Sequence, residues 1–474
     1  MSTLLSEEDL NDFISPELAC TKTTEVTHEP SGVDPNGEYV VEKESEAVSK
    51  VSITLSDCLA CSGCITSSEE IMLQRQSHDV FLKRDTSRPL AVSIAPQCRV
   101  SLATHYGMTV QEFDLCLINV FQQRFGAQYV VGIEYGRIIS LHRTIEAVRQ
   151  WKAQQEGAAP CLSAIDPGFT IYTEKTKNEL VPLLVNVKSP QQTTGHLLKA
   201  ATGPELYHLT IQAVFDKKLE ASRTECEAEV DCVITPRELL SLFAETDTDF
   251  VQFRTQETSL YTAACPPTLS AEISWSSNEG NSSGGYAYQY IRAQQQLYPG
   301  SCILELPGRN KYIREFRLVT DPHAGGATLA SATELSGFRN IQNMVRHLSQ
   351  RAHPHPQRRV QSLRKRRVNA ITTSPSSSSS SFARPYETDF IEVNASPGGA
   401  INGGGLVNDA QSRRQREELT AQFERRYHAE LSSVDPLDSR LAVPATPPLH
   451  YEFLQLDPQQ QQQQRDLVTV GNTW

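Results

Sequence analysis

The feature that most constrains this chain is a run of three cysteines at two-residue intervals, Cys58, Cys61 and Cys64. A C-x2-C-x2-C run forms a tight loop whose thiolates converge on one point, as three of the four irons of a cubane [4Fe–4S] cluster require. Ser62 and Gly63 are small enough for the backbone to pass close to the cluster sulfides and to donate N–H groups to them. The run therefore predicts a [4Fe–4S] site in the N-terminal part of the chain.

The fourth ligand of such a cluster has to come from a distant part of the sequence. Bacterial ferredoxins continue the run with three residues and a Cys-Pro pair, whereas here Ile65-Thr66-Ser67-Ser68 follows without a cysteine. Cys20 is the only cysteine that precedes the run. Cys20 is therefore our candidate for the fourth ligand.

Zinc and disulfide bonds are the two other uses of such cysteines. A zinc site usually separates its C-x2-C pairs and often includes histidine, and no histidine stands beside this run. Disulfides between neighbours at this spacing have poor geometry, the total of 11 cysteines is odd, and no apolar signal segment follows Met1. An iron–sulfur cluster in a reducing compartment is the preferred interpretation, and zinc remains the alternative.

Length and charge limit the remaining possibilities. A chain of 474 residues exceeds a single core, so two or three lobes are expected. No apolar run is long enough to span a bilayer, so we expect no membrane partner. The net charge of −12 disfavours nonspecific nucleic-acid binding, and no nucleic-acid partner is expected.

One stretch departs from this acidic balance. Between Arg346 and Arg367 there are eight basic residues and no acidic one, and the serine tract Ser376 to Ser381 follows. This composition lacks the apolar residues needed for a core and predicts a disordered insertion over residues 346–385. Residues 364–367 (RKRR) leave a nuclear-import or nucleic-acid patch open as an alternative.

Short apolar strands alternate with amphipathic helices from Leu90 onward. We predict strands near residues 91–95, 130–133, 207–214 and 231–235, and helices over 110–125, 139–154 and from 236. This alternation is typical of a parallel α/β sheet. Two glycine-rich loops, residues 283–286 and 403–405, match neither phosphate-loop nor dinucleotide spacing, so no nucleotide is inferred.

Several phrases together resemble one family, the eukaryotic cytosolic iron–sulfur assembly factors related to [FeFe]-hydrogenases, including the prelamin-recognition-factor-like proteins. The matching stretches are residues 9–16 (DLNDFISP) with Cys20, 55–67 (LSDCLACSGCITS), 187–192 (VKSPQQ), 215–223 (FDKKLEASR), 230–235 (VDCVIT) and 390–405 (FIEVNASPGGAINGGG). The resemblance implies an iron-only hydrogenase-like fold, in which a small N-terminal [4Fe–4S] ferredoxin-like domain precedes two α/β lobes. The domains expected are a cluster-binding domain at 1–85, the lobes at 86–345, the insertion at 346–385, and the C-terminal part of the hydrogenase-like domain with a mobile tail at 386–474.

The same resemblance implies ligands and partners. In such proteins the N-terminal cluster ligands fall on Cys20, Cys58, Cys61 and Cys64, in agreement with the spacing. The implied role is not catalytic: it is the relay of [4Fe–4S] clusters from the early cytosolic scaffold to the late targeting complex, which serves cytosolic and nuclear apoproteins. We expect a cytoplasmic protein, with the nucleus as a second location. C-terminal Trp474 is the residue that the targeting complex would recognise.

A second cluster site of this family departs from its pattern here. Asp166, Val214, Ser396 and Ala400 occupy the four positions at which the family has cysteine. Valine and alanine cannot bind iron, and carboxylate or hydroxyl oxygen is a poor substitute for thiolate. The sequence therefore predicts one cluster rather than two. It leaves open a binding or adaptor protein deficient in cluster transfer, and it disfavours a hydrogenase-like redox enzyme.

Overall fold

The structure is a computed structural model that describes residues 76–453 except 155–158, 224–225, 227, 322–325, 353–381, 409, 411, 439–440 and 442–449. The strands are β1 Leu90–Ile94, β2 Ala127–Gly132, β3 Cys161–Leu162, β4 Tyr207–Ile211, β5 Cys232–Ile234, β6 Cys302–Pro307, β7 Ile313–Val319, β8 Thr328–Ser336 and β9 Phe390–Asn394. The α-helices are α1 His78–Leu82, α2 Pro96–His105, α3 Val110–Phe125, α4 Glu134–Gln154, α5 Pro167–Thr176, α6 Pro190–Thr202, α7 Asp216–Ala221, α8 Pro236–Glu245, α9 Leu260–Ala263, α10 Ala271–Ser274, α11 Tyr286–Gln295, α12 Phe338–Ala352 and α13 Arg413–Glu430. Short 3-10 helices lie at Asn178–Leu183, Phe250–Phe253 and Ala400–Asn402.

Local sequence signals explain where α3 begins and ends. Thr109 accepts from the backbone N–H of Glu112, and the Glu112 side chain returns to the backbone of Thr109, so a complete capping box starts the helix. Gly126 ends it with φ 70°, a left-handed conformation that glycine adopts without strain. Between these caps, Phe113 and Leu117 are among the residues that α3 buries in the core. The predicted helix over 110–125 is confirmed.

The first sheet has four strands in the order β2-β1-β4-β5, and all of its pairs are parallel. Every residue of β1, β4 and β5 is buried, as expected for a parallel sheet covered by helices on both faces. The predicted parallel α/β arrangement is confirmed for this half of the protein.

The second sheet has five strands in the order β3-β9-β8-β7-β6. The pairs β3–β9 and β8–β9 are parallel, whereas β6–β7 and β7–β8 are antiparallel. The sheet is therefore mixed, and its antiparallel part was not predicted. Separate hydrophobic clusters pack on it: one includes residues of α4 and α11, and another includes residues of α12.

Described residues lie at both ends of the predicted insertion, 346–352 and 382–385. Helix α12 continues to Ala352, inside the range 346–385. The backbone N–H of Arg384, near the other end of that range, donates to the buried Glu315 of β7. Regular structure thus enters the predicted insertion at its start, while 353–381 lie outside the described residues.

Candidate functional site

The predicted ligands Cys20, Cys58, Cys61 and Cys64, together with Trp474, lie outside the described residues. The four positions of the second family site lie within them, and each follows the carboxyl end of a strand. Asp166 comes after β3, Val214 after β4, and Ser396 and Ala400 after β9. Since β4 belongs to the first sheet and the others to the second, the contacts described below join the two sheets. We call this region the junction; carboxyl ends of parallel strands are a common place for a site.

Asp166 ties two loops of the junction together. Its Oδ1 accepts from the backbone N–H of Phe169 at 3.1 Å and so caps α5. Its Oδ2 accepts from the backbone N–H of Ala395, in the loop after β9, at 2.8 Å. Burial raises the pKa of Asp166, and these N–H groups and the ammonium of Lys217 oppose that rise. Both oxygens are thus used as backbone acceptors.

Close backbone contacts bring the loop after β9 against the end of β4. The backbone N–H of Gly405 donates to the Ala213 carbonyl at 3.0 Å. A Cβ atom at Gly403 would lie 2.3 Å from that carbonyl oxygen and 2.9 Å from a methyl carbon of Val214, so glycine is required for this approach. Gly403 and Gly405 therefore serve the close packing of this loop against the end of β4.

Ala400 and Val214 fill the junction with apolar atoms. Both are partly buried and pack against the core of the first sheet. The backbone N–H of Ala400 donates to Ser283 Oγ at 2.8 Å, which connects this loop to the segment before α11. Two of the four positions therefore contribute hydrocarbon and a third, Asp166, contributes a carboxylate whose oxygens are both engaged. These residues do not fit a thiolate-held cluster.

The other seven cysteines do not replace the missing ligands. Cys98, Cys116, Cys161, Cys226, Cys232 and Cys265 are buried, and Cys302 is partly exposed. Burial raises the pKa of the Cys161 thiol to about 12, which keeps it protonated. Cys161 packs in the hydrophobic cluster that contains Tyr290 and Phe390. The six buried cysteines thus occupy the interior of the fold as small side chains.

A buried carboxylate beside the junction was not predicted from the sequence. Glu220 of α7 is only 2% exposed. It accepts from Ser189 Oγ at 2.8 Å, Gln191 Nε2 at 3.1 Å, Lys217 Nζ at 3.1 Å and the Tyr451 hydroxyl at 2.5 Å. The FDKKLEASR and VKSPQQ phrases mark this region, but no local pattern shows that they converge on one acid. Four donors offset the large free-energy cost of burying the charge.

A pair of glutamates lies in the second sheet, near the junction. Glu334 of β8 and Glu392 of β9 are direct register partners, and Arg314 Nη2 donates to Glu334 at 2.7 Å. Asn281 donates to Glu392 at 2.9 Å and accepts from the backbone N–H of Ser283 at 2.8 Å. Burial and the nearby charge of Glu392 raise the pKa of Glu334 to about 7. This carboxyl pair therefore supports the loop on which Ser283 holds Ala400.

Gln192 is a further residue that sequence reasoning missed. Its side chain is fully buried on α6, and neither amide atom has a hydrogen-bond partner among the described residues. A buried amide of this kind is unfavourable by about 1–3 kcal/mol for each group left unpaired. The preceding residue, Gln191, donates to Glu220. Within the described part of the chain, no helix is at once long and apolar enough to cross a bilayer.

Comparisons with known proteins show the family to which this chain belongs. The family model of the iron only hydrogenase large subunit, C-terminal domain, matches residues 88–404. The cytosolic Fe-S cluster assembly factor NAR1 of Saccharomyces cerevisiae is 49% identical over 496 residues, covering 100% of both chains. The protein of the same name from Kluyveromyces lactis is 44% identical over 484 residues, again covering 100% of both.

Solved hydrogenase structures show the same fold. A variant of the [FeFe]-hydrogenase HydA1 from Chlamydomonas reinhardtii aligns with a TM-score of 0.55 at 17% identity, covering 82% of this chain and 100% of that chain. The [FeFe]-hydrogenase HydA(deltaEFG) aligns with a TM-score of 0.54, also at 17% identity and with the same coverage. The predicted iron-only hydrogenase-like α/β fold is confirmed, while residues 1–75 of the predicted N-terminal ferredoxin-like domain fall outside the described residues.

Proposed function

Because this chain belongs to the family of the iron only hydrogenase large subunit and, within it, to the cytosolic Fe-S cluster assembly factors, we propose that it relays [4Fe–4S] clusters from the early cytosolic scaffold to the late targeting complex. Its role lies in cytosolic iron–sulfur protein assembly. The observation that carries the proposal is the match to the assembly factor of Saccharomyces cerevisiae along the whole of both chains.

The relay needs a cluster, and the proposed ligands are Cys20, Cys58, Cys61 and Cys64. The spacing of the last three supports this set. Six of the seven remaining cysteines are buried in the described fold. Thiolate ligation would also tie Cys20 to the distant run, so cluster binding and folding of the N-terminal part should be linked.

We assign no catalytic residue. The relatives are named assembly factors, and a hydrogenase-like redox reaction in the lobes would need thiolates at the junction, where Asp166, Val214, Ser396 and Ala400 stand instead. An adaptor that binds partners without transferring clusters is the second candidate, and the same four residues favour it. In either role the junction contributes shape and contacts.

The proposed partners are the early scaffold and the late targeting complex. Trp474 is proposed as the contact to the latter, because a terminal indole buries a large apolar area and the adjacent carboxylate offers a second anchor. The proposed location is the cytoplasm, with the nucleus as a second location that the basic residues 364–367 support.

Genetic replacement tests the function directly. The full chain is expressed in Saccharomyces cerevisiae cells depleted of their own NAR1, and the iron content of cytosolic iron–sulfur proteins is measured. We expect the unmodified chain and a Cys302→Ala variant to restore that iron, and Cys61→Ala to fail at equal abundance. Cys302 is the matched control because it is a partly exposed cysteine outside the proposed ligand set.

The possible outcomes separate the two candidates. Rescue by the unmodified chain with loss in Cys61→Ala supports cluster relay. Rescue by both variants means that the cluster is dispensable and favours the adaptor. Failure of the unmodified, abundant chain contradicts the assembly role.

A further inference from the structure

A short C-terminal segment, residues 450–453, is seated on the folded body. His450 Nδ1 donates to the Asn186 carbonyl at 2.8 Å, and the backbone N–H of Tyr451 donates to Asn186 Oδ1 at 2.6 Å. Arg223 Nη2 donates to the Glu452 carbonyl at 3.0 Å. Three consecutive residues are thus held by side chains and backbone of the body. We call residues 450–453 the seat.

Tyr451 is the buried anchor of the seat. Its side chain is 4% exposed and lines a small cavity together with Pro167 and Ile171 of α5. Its hydroxyl donates to Glu220 Oε1 at 2.5 Å and accepts from the backbone N–H of Ser189 at 3.1 Å. A buried phenol whose donor and acceptor are both satisfied fixes its partners as well as itself.

Hydrogen bonds and the peptide link between Ile165 and Asp166 connect this hydroxyl to the junction. Glu220 accepts from Lys217 Nζ at 3.1 Å, and the same ammonium donates to the Ile165 carbonyl at 2.9 Å. Ile165 directly precedes Asp166, whose carboxylate accepts from Ala395 at 2.8 Å. The order is therefore Tyr451, Glu220, Lys217, the 165–166 loop and the loop after β9.

We propose that Tyr451 is a positioning residue that couples the C-terminal segment to the junction. With Tyr451 seated, its hydroxyl completes the donors around Glu220, and Glu220 holds Lys217 against the loop that carries Asp166. When the seat opens, Glu220 loses a donor and the Ser189 N–H loses its acceptor, so Lys217 is no longer fixed. Seated and open arrangements of residues 450–453 are the two states that such coupling needs.

This inference rests on the proposed function in one respect. The residues after 453 end in Trp474, the proposed contact to the targeting complex. A partner that binds this tail contacts the chain next to the seat. Its binding would therefore change, through Tyr451, how firmly the loops of the junction are held. The coupling itself can be measured without any partner.

Hydrogen exchange on the full chain tests the coupling. Tyr451→Phe keeps the ring and removes the hydroxyl, so the variant should fold. We expect exchange at the backbone N–H groups of Phe169, Thr170 and Ala395 to accelerate about tenfold, because these groups depend on the placement of Asp166. Tyr290→Phe is the matched control: Tyr290 is fully buried, and its hydroxyl has no partner among the described residues.

A second variant tests the route through Lys217. In a Lys217→Met background, Tyr451→Phe should no longer change exchange at those three groups, because methionine lacks the N–H donors that link Glu220 to the Ile165 carbonyl. Unchanged exchange in Tyr451→Phe would overturn the proposal, and so would an equal acceleration with Lys217 replaced. Iron content measured on the same samples reports the proposed cluster separately, so a failure of the proposed function would be visible there and not in the exchange rates.

Discussion

At residues 58–64 the chain keeps three closely spaced cysteines, whereas at the junction it keeps the surrounding loops and none of the family's cysteines. The two regions show that the loops of a cluster site can be present without its cysteine ligands. In the junction, Asp166 holds Ala395, Ser283 holds Ala400, and Gly403 allows the close approach to Val214. Protein hydrogen bonds and packing connect the loops there. The N-terminal run has two small residues, Ser62 and Gly63, between its last two cysteines, and the cluster that we propose there would supply the connection.

Restoring the thiols should produce the largest change in this comparison. Cysteine at all four junction positions, Asp166, Val214, Ser396 and Ala400, should raise iron from about four to about eight per chain, because a second [4Fe–4S] cluster then has its ligands. Iron and sulfide in anaerobically reconstituted protein measure this. Serine at the same four positions is the control. A folded four-cysteine variant that stays at about four irons would show that the junction is too closely packed for a cluster.

Removing Trp474 should separate partner binding from cluster binding. We expect the variant without this residue to bind the late targeting complex more weakly by about 2–4 kcal/mol, the range of an interface hot spot. Isothermal titration calorimetry checks the affinity, with Asn472→Ala as the control from the same tail. Iron content should not change. Equal affinity of the truncated and full-length chains would reject the tail as the contact.

Asp166→Asn tests whether the junction is held by its carboxylate. The amide can accept from only one of the two backbone N–H groups, from Phe169 or Ala395, and presents a donor to the other. We expect the free energy of unfolding to fall by about 2 kcal/mol, the penalty of leaving one buried group unpaired. Urea unfolding measures it. Asp249→Asn, at an exposed cap over Val251, should change it by less than about 0.5 kcal/mol.

Stability at the junction should also depend on pH through Glu334. Its pKa is raised from 4.5 to about 7 in the folded state, so the folded state binds the proton more tightly than the unfolded state. The stability that the protonated Glu334 carboxyl contributes is therefore fully present below pH 4.5 and is lost as the pH rises towards 7. Glu334→Gln should reduce the loss of unfolding free energy across this window by about 1–2 kcal/mol. Urea unfolding at several pH values checks this.

The control for that experiment is the other acidic partner of Arg314. Glu305 lies 3.5 Å from the Arg314 guanidinium, and its side chain is more than half exposed. Glu305→Gln should leave the pH dependence as it is, because an exposed ion pair contributes little to stability. An equal flattening in both variants would assign the effect to Arg314 rather than to the buried pair.

The sequence was sufficient where the structural signals are local. Helix α3 has the predicted bounds because its capping box and terminal glycine lie within the segment itself. The antiparallel part of the second sheet was missed because β7 carries Arg314, Glu315 and Arg317 in a strand whose interior is largely buried. Their charges are matched by groups such as Glu334 on a neighbouring strand, and a strand's own sequence cannot show its partner.

The candidate site divides in the same way. The substitutions at the junction are visible in the sequence, since Ser396 and Ala400 stand inside one of the matching phrases and Val214 directly precedes another. That Asp166 joins two loops is not, because Ala395 is distant in the chain. The seat at Tyr451 was missed for a similar reason: it is short, has no periodic pattern, and bonds to Asn186, Ser189 and Glu220 far upstream.

Iron and acid-labile sulfide per chain, measured on anaerobically purified protein and on Cys61→Ala, test the central claim most directly. One cluster at the N-terminal run and none at the junction predicts about four irons and four sulfides in the unmodified chain and in the Cys302→Ala control, and loss of the cluster absorption and nearly all iron in Cys61→Ala. About eight irons in the unmodified chain, or unchanged iron and absorption in Cys61→Ala, would contradict it.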